Sequence, residues 1–206
     1  MRKLIVCTLI SLDGYLEGPS GSIVDLPIDG FFDQYNLERQ EAADTLVLGR
    51  RTYEQFRAYW PAIAEDPTHS PAVAADPEAA HLQKALARNN GRLHKIVVSD
   101  TLTPESTAPW QETTEIVARR AARDRIAEER AAEGGDMLVF GSRTLWHDLL
   151  RAGLVDELHV MVGAGLVGGG TPAFPEGMSE RLRLLETRQH EGSGIVVLRY
   201  ARTSGG

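Results

Sequence analysis

Three short apolar runs rich in β-branched residues each stop at a glycine or serine, hydroxyl-bearing residues come after each stop, and arginines come after the two glycine stops. They are Leu46-Val47-Leu48-Gly49-Arg50-Arg51-Thr52, Ile96-Val97-Val98-Ser99-Asp100-Thr101-Leu102 and Met137-Leu138-Val139-Phe140-Gly141-Ser142-Arg143-Thr144-Leu145. Runs this short and this apolar read as strands of a parallel sheet covered on both faces by helices. Ligands of such sheets gather at the carboxyl ends of the strands, where glycine admits backbone N–H groups and helix starts favour anions. Three ends of this kind point to one phosphate-bearing nucleotide laid across them.

The rest of the chain is compatible with that sheet. Residues 3–11 form a further buried-type strand that stops at Ser11-Leu12-Asp13-Gly14, a turn that either merely reverses the chain or also lines the site. Residues 18–30 read as a loop. Phe31 to Ala43 reads as a helix whose Phe31, Phe32 and Tyr35 share the side facing the sheet. Asp33 lies beside that aromatic patch. It is either a solvated helix residue or, held against apolar groups, an acid with a raised pKa that can supply a proton.

Thr52 to Tyr59 predicts a helix closed by Trp60-Pro61, and residues 62–77, with Pro67, Pro71 and Pro77, predict an exposed loop with little structure. Pro77-Glu78 opens a helix ended by Asn89-Asn90-Gly91. Strands come next at His94 to Ser99 and Thr114 to Val117, then a charged helix from Arg119 to Glu133. Ser142 is placed as the N-cap of a helix over Thr144 to Ala152.

After a strand at Asp156 to Val162, Gly163 to Gly170 matches G-x-G-x-x-G. A dinucleotide fingerprint needs a helix and another parallel strand next, whereas Thr171-Pro172 stands there, so this stretch reads instead as a mobile loop closing over a ligand and ending at Phe174. Leu182 to His190 and Ile195 to Tyr200 read as a closing hairpin. The expected layout is one domain over residues 1–202 and a loose tail over 203–206.

The formal charge of −7 over 206 residues argues against general binding of nucleic acid or anionic membrane, which require a basic field. The single cysteine, Cys7, lies in an apolar run and reads as a core thiol. The histidines are scattered without metal-ligand spacing, so no metal is expected. No run is long enough to span a bilayer, and no cleavage signal succeeds the first apolar run, so a cytoplasmic protein is expected.

Taken together, Ser11-Leu12-Asp13-Gly14, Leu48-Gly49-Arg50-Arg51-Thr52-Tyr53, Val98-Ser99-Asp100-Thr101-Leu102 and Phe140-Gly141-Ser142-Arg143-Thr144-Leu145 resemble the dihydrofolate reductase-like superfamily. Within it, the chain is most similar to stand-alone relatives of the reductase domain of the riboflavin-biosynthesis deaminase/reductase. The resemblance implies a three-layer α/β fold with about eight mostly parallel strands, a C-terminal antiparallel hairpin, and NADPH across the carboxyl ends. By the same likeness, Gly49, Arg50, Arg51 and Thr52 would hold the pyrophosphate or adenosine side. Ser99, Asp100, Thr101 and Leu102 would face the 2′-phosphate and adenine, and Gly141, Ser142, Arg143, Thr144 and Leu145 would cradle the pyrophosphate.

Asp33, sixteen residues before Gly49, falls near the acid of dihydrofolate reductases and is the first candidate for the catalytic acid, with Asp13 second. Leu26-Pro27 stands where those enzymes carry Trp-Pro, and Phe140 where riboflavin-pathway reductases usually carry a glutamate. The function implied is hydride transfer from NADPH to a small planar heterocycle, pterin- or pyrimidine-like, by an enzyme that is often a homodimer. The alternative is an NADP(H)-binding protein with a sensing role and no turnover.

Overall fold

The structure, a computed structural model, describes residues 2–203. Its main sheet contains β1 (Leu4–Ile10), β3 (Ala43–Gly49), β4 (His94–Val98), β5 (Thr114–Val117), β6 (Asp136–Phe140), β7 (Glu157–Val162), β9 (Leu182–Gln189) and β10 (Val196–Arg202). They lie in the order β5-β4-β3-β6-β1-β7-β10-β9. Neighbours from β5 to β7 pair in parallel, and β10 runs antiparallel to β7 and to β9. A separate small sheet pairs β2 (Tyr15–Glu17) with β8 (Thr171–Pro172). The helices are α1 (Gly30–Glu41), α2 (Arg50–Glu65), α3 (Pro71–Ala75), α4 (Ala80–Arg92), α5 (Ala122–Ala131) and α6 (Arg143–Arg151).

The period-two alternation of strand side chains divides the core into two layers. Ile5, Cys7, Leu9, Leu46 and Leu48 face Phe31 and Tyr35 of α1 and Tyr53 of α2. Leu4, Val6, Val47 and Val139 face Ile126 of α5 and Trp146, Leu149 and Leu150 of α6. Strand interiors are apolar on both sides because helices cover both faces, and each fully buried Leu or Ile contributes about 1.5–3 kcal/mol relative to exposure.

Three local expectations are corrected. α2 does not close at Trp60-Pro61 but continues to Glu65. Pro61 forgoes one intrahelical hydrogen bond at a cost of about 3 kcal/mol. Docking of the same helix side outweighs it, with Tyr53 and Ile63 fully buried and Phe56 and Trp60 packed on the core.

Residues 62–77 are not an unstructured loop. Asp66, Ser70 and Asp76 each cap a helical turn that begins with the proline after it, accepting from the amides of Thr68, Ala72 and Glu78. The prolines therefore start helices rather than break them, because at the first position a missing N–H costs nothing. α4 likewise runs through Asn89-Asn90-Gly91 to Arg92, where fully buried Asn90 donates Nδ2–H to the Leu86 carbonyl at 2.9 Å.

The expected hairpin of β9 and β10 forms, and Arg125 pairs with Glu129 one turn on in α5 at 2.8 Å. Of the expected tail, Thr203 is tied to the Arg181 carbonyl through its amide (3.2 Å) and its hydroxyl (2.7 Å). Residues 204–206 lie outside the described residues.

Candidate functional site

β3 and β6 are parallel neighbours, and α2 and α6 start at their carboxyl ends. Two hydrogen bonds brace these ends: Gly49 N–H donates to Ser142 Oγ at 2.9 Å, and Ser142 N–H donates to Thr52 Oγ1 at 3.0 Å. Ser142 is thus not the side-chain N-cap expected of it. Its backbone is left-handed, with φ +49°, and its hydroxyl turns across to β3 and away from its own helix. Gly141 precedes it at φ +53°, where an added Cβ would stand 3.1 Å from Thr52 Oγ1.

The first α6 amides with a backbone partner are those of Leu145 and Trp146, both bonded to the Ser142 carbonyl. The helix geometry leaves the N–H groups of Arg143 and Thr144 directed at whatever lies beyond the strand ends.

Arg51 and Arg143 bring guanidinium groups to this cradle. Arg51 reaches Glu17 of β2 at 3.4 Å and the Gly21 carbonyl at 3.3 Å, and Arg143 donates to the Pro172 carbonyl at 3.3 Å. Arg50 points elsewhere, bonding Glu54 (2.8 Å) and Thr101 Oγ1 (2.7 Å), and so joins the end of β3 to the end of β4. Ser99 Oγ accepts from the amides of Thr101 and Leu102, and Asp100 accepts from the Arg119 amide. The Ser99–Leu102 turn is therefore adjacent to the cradle but occupied with its own structure.

Between α1, α2, α4 and the sheet opens a cavity of about 640 Å³. Arg51, Thr52 and Gly141 to Leu145 form one part of its wall, and Asp33 another. Gly49, Arg50, the 99–102 turn and Asp13 do not line it. Phe32, Phe56 and Phe140 supply flat apolar wall, and Cys7 is a buried neutral thiol pushed up to about 12 by desolvation.

Burial raises the Asp33 pKa to about 6, against a lowering hydrogen bond from Gln83 Nε2 at 2.6 Å. Gln83 accepts in turn from Ser70 Oγ (3.1 Å), which accepts from the Tyr59 hydroxyl (3.0 Å). This chain fixes the carboxyl group, and it runs through Ser70, in the segment whose prolines read as a loop. Tyr59 lies seven residues beyond Thr52 on α2, about 10 Å along the helix, so the hydrogen-bonded chain from the acid reaches α2 about two turns beyond the cradle.

Asn36, Gln40, Asn90 and Trp60, which the sequence reading does not single out, also line the cavity, and each carries a buried polar atom with no hydrogen-bond partner among the described residues. A signal for the first two is present, because Asp33, Asn36 and Gln40 recur at i, i+3 and i+7 and so share one face of α1.

Asp13, the second candidate acid, serves otherwise. Its carboxylate accepts from the amides of Val167 (3.1 Å) and Gly168 (2.8 Å). The Ser11 hydroxyl and these amides hold it below the usual carboxylate range. It stays ionised at neutral pH and clamps the glycine-rich loop. That loop is not free along its length. Thr171-Pro172 pairs with β2, His147 Nε2–H donates to the Ala173 carbonyl at 2.8 Å, and Phe174 packs edge-on against Trp146.

Beneath the cavity, Tyr35 donates to His159 Nδ1 (2.9 Å), and His159 Nε2–H donates to Glu157 (2.8 Å), which also pairs with Lys3 and Arg199. Desolvation pulls His159 down to about 4, and the hydrogen bonds from Lys3, His159 and Arg199 outweigh burial to bring Glu157 to about 2. The imidazole is neutral and the carboxylate charged, so this buried relay is structural. Among the described residues, no group of three metal-ligating side chains gathers and no helix is long and apolar enough to cross a membrane.

A mostly parallel eight-stranded sheet with one antiparallel strand near its edge, and a cavity at its carboxyl ends, define an α/β fold like that of dihydrofolate reductase. Dihydrofolate reductase from Enterococcus faecalis, solved with NADP(H), superposes with a TM-score of 0.59 at 16% identity, covering 98% of this chain and 97% of that one. Residues 2–197 match the RibD C-terminal domain, and the chain belongs to that family.

The RibD structure from Acinetobacter baumannii aligns with a TM-score of 0.64 at 17% identity, covering 99% of this chain and 59% of the longer one. An uncharacterized Bacillus subtilis protein, YwjB, is 25% identical over 203 residues, covering 98% of each chain.

Proposed function

We propose that this protein is an NADPH-dependent reductase that transfers a hydride to a small planar heterocycle, with Asp33 as the acid. The observation that carries the reading is a carboxyl group sunk in the cavity wall, raised to about 6 and oriented by Gln83. It shares that cavity with a cradle built for phosphate. Arg51, Arg143 and the first amides of α6 would hold the cofactor's pyrophosphate, with Arg50 and Thr101 beside its adenosine end. The donor set fits, because guanidinium groups and free helix-start amides are what phosphate oxygens need.

When bound, NADPH supplies the hydride. Asp33 Oδ2 accepts from Gln83, so Oδ1 is the atom that holds the proton to be delivered. The aromatic wall orients a flat ring and excludes water from it. The test is fluorescence titration with NADPH and NADH, then NADPH oxidation with pterins, pyrimidines and quinonoid acceptors. NADPH binds more tightly, and Asp33→Asn keeps that binding while turnover falls by roughly a hundredfold. Equal binding of NADH refutes the cofactor assignment; unchanged turnover in the variant removes Asp33.

A further inference from the structure

We infer that the free edge of β9 is an interface for a second copy of this chain, joined strand to strand in antiparallel fashion about a two-fold axis that passes through Leu184. β9 is the last strand of the main sheet, and β10 is its neighbour on one side only. Among the described residues, the backbone of 183–189 makes no hydrogen bond outside that pair. Leu184 is 51% exposed and Leu185 37%, and Arg183, Glu186 and Thr187 are exposed beside them. An open edge of eight residues, without proline and with two exposed leucines near its middle, is a template for another strand.

The pairing with β10 sets which side chains share a face. Arg183, Glu186 and Arg188 stand opposite Ala201, Arg199 and Val197 on the α1 side of the sheet, where Arg188 bonds Glu38 and lies over Phe31 and Tyr35. Leu182, Leu184, Thr187 and Gln189 stand opposite Arg202, Tyr200, Leu198 and Val196 on the α6 side, where Leu182 packs against the core. Leu185 is the extra residue at the register shift between Arg199 and Tyr200.

In a continuous antiparallel sheet directly opposed residues share a face, so a two-fold between two copies of β9 must pass through one of these paired positions. With the axis at Leu184, that leucine meets the partner's Leu184, Leu182 meets the partner's Thr187, and Arg183 faces the partner's Glu186 in two symmetric places. An axis at Arg183, Glu186 or Arg188 sets that residue against its own copy, and like charges directly opposite are destabilising. An axis at Leu182 or Gln189 leaves most of the strand unpaired. An axis at Thr187 sets Leu184 against the partner's Gln189 and calls on Arg188, which already forms a two-pronged pair with Glu38. Glu186 pairs with Arg199 in its own chain, whereas Arg183 has no carboxylate partner among the described residues. The charges thus select the Leu184 register and supply Arg183 with the partner it lacks.

The two-fold reverses strand direction, so the two cavities lie at opposite ends of the joined sheet. No β9 residue lines the cavity. Each copy therefore keeps a complete site, and the interface stands independently of the reductase reading.

Sedimentation equilibrium of the full chain from about 1 to about 100 µM tests the interface, and the wild type is expected to be a dimer in that range. Arg183→Glu sets a carboxylate against the partner's Glu186 in two places and should raise the dissociation constant at least about tenfold; Leu184→Lys sets two ammonium groups together on the axis and should raise it further. Thermal melts show whether either variant has failed to fold, in which case the other decides. The register is read by oxidation, because the single native cysteine, Cys7, is buried. Leu184→Cys is expected to give a disulfide-linked dimer and Thr187→Cys none, since only directly opposed positions come within disulfide reach. A wild type that is monomeric throughout the range overturns the inference, and so does a dimer that neither charge substitution weakens in a folded variant. A cross-link through Thr187→Cys, or none through Leu184→Cys, overturns the Leu184 axis.

Discussion

Replacing Asp33 with asparagine should stabilise the protein, and most fully above about pH 6. The folded protein keeps the Asp33 proton up to about pH 6, whereas an unperturbed aspartate releases it near 3.8. Across that window the native state binds more protons than the unfolded chain, so its stability falls as pH rises from 3.8 to 6, and the loss is complete above 6. A shift of roughly two units corresponds to about 3 kcal/mol as an upper figure, and for a chain this size to a change in Tm of at most about 6–12 °C.

Asparagine matches the shape of the protonated acid and still accepts from Gln83, but it carries no charge to desolvate. Melts monitored by circular dichroism at pH 4 and pH 8 are the assay. The two proteins should melt together at pH 4 and the variant should melt higher at pH 8. An equal difference at both pH values, or a variant less stable at pH 8, refutes the claim that Asp33 is ionised at a cost. The same shift means that about one molecule in ten carries the proton at pH 7, which is the population available for acid catalysis.

Further outcomes come from the same geometry. Gln83→Leu removes the hydrogen bond that lowers the Asp33 pKa, so the alkaline limb of the kcat/KM profile, along which the acid loses its proton, should move to higher pH; an unmoved limb would show that Gln83 does not set the pKa of the acid. Arg143→Ala should weaken NADPH binding by about tenfold or more, the worth of a charge-assisted hydrogen bond, with the melt unchanged. A collapsed melt with unaltered affinity per folded molecule would make Arg143 structural. Acid should destabilise the protein in two stages. His159, depressed from 6.5 to about 4, contributes stability that is present above 6.5 and lost as pH falls through 4; Glu157, depressed from 4.5 to about 2, does the same between 4.5 and 2. A Tm series from about pH 7 to 3 should show His159→Gln flattening the upper stage, and an unchanged slope would place the acid sensitivity elsewhere.

The sequence by itself determined the sheet and the strand ends beside which the candidate site lies. Apolar β-branched runs, their glycine and serine stops and the helical periodicity after them are local signals, so β1, β3, β4, β6 and β7 and the cradle at Gly49 and Gly141 were legible without coordinates. The G-x-G-x-x-G stretch was also readable as a non-nucleotide loop, because the Thr171-Pro172 pair directly after it is a local signal too.

Tertiary structure alone decided what each polar group does. Ser142 turns its hydroxyl to Gly49 because β3 and β6 are neighbours, a fact that neither local pattern contains. Asp13 and Asp33 are both aspartates near apolar residues; one meets two loop amides and stays charged, and the other is buried beside Gln83 and keeps its proton up to about pH 6. Asn36 and Gln40 share a face of α1 with Asp33 by their spacing, but only the packed structure sets that face against a cavity and brings Asn90 of α4 to it. Hydrogen-bond satisfaction and desolvation depend on every neighbour in three dimensions, whereas strand and helix formation depend chiefly on the few residues along the chain.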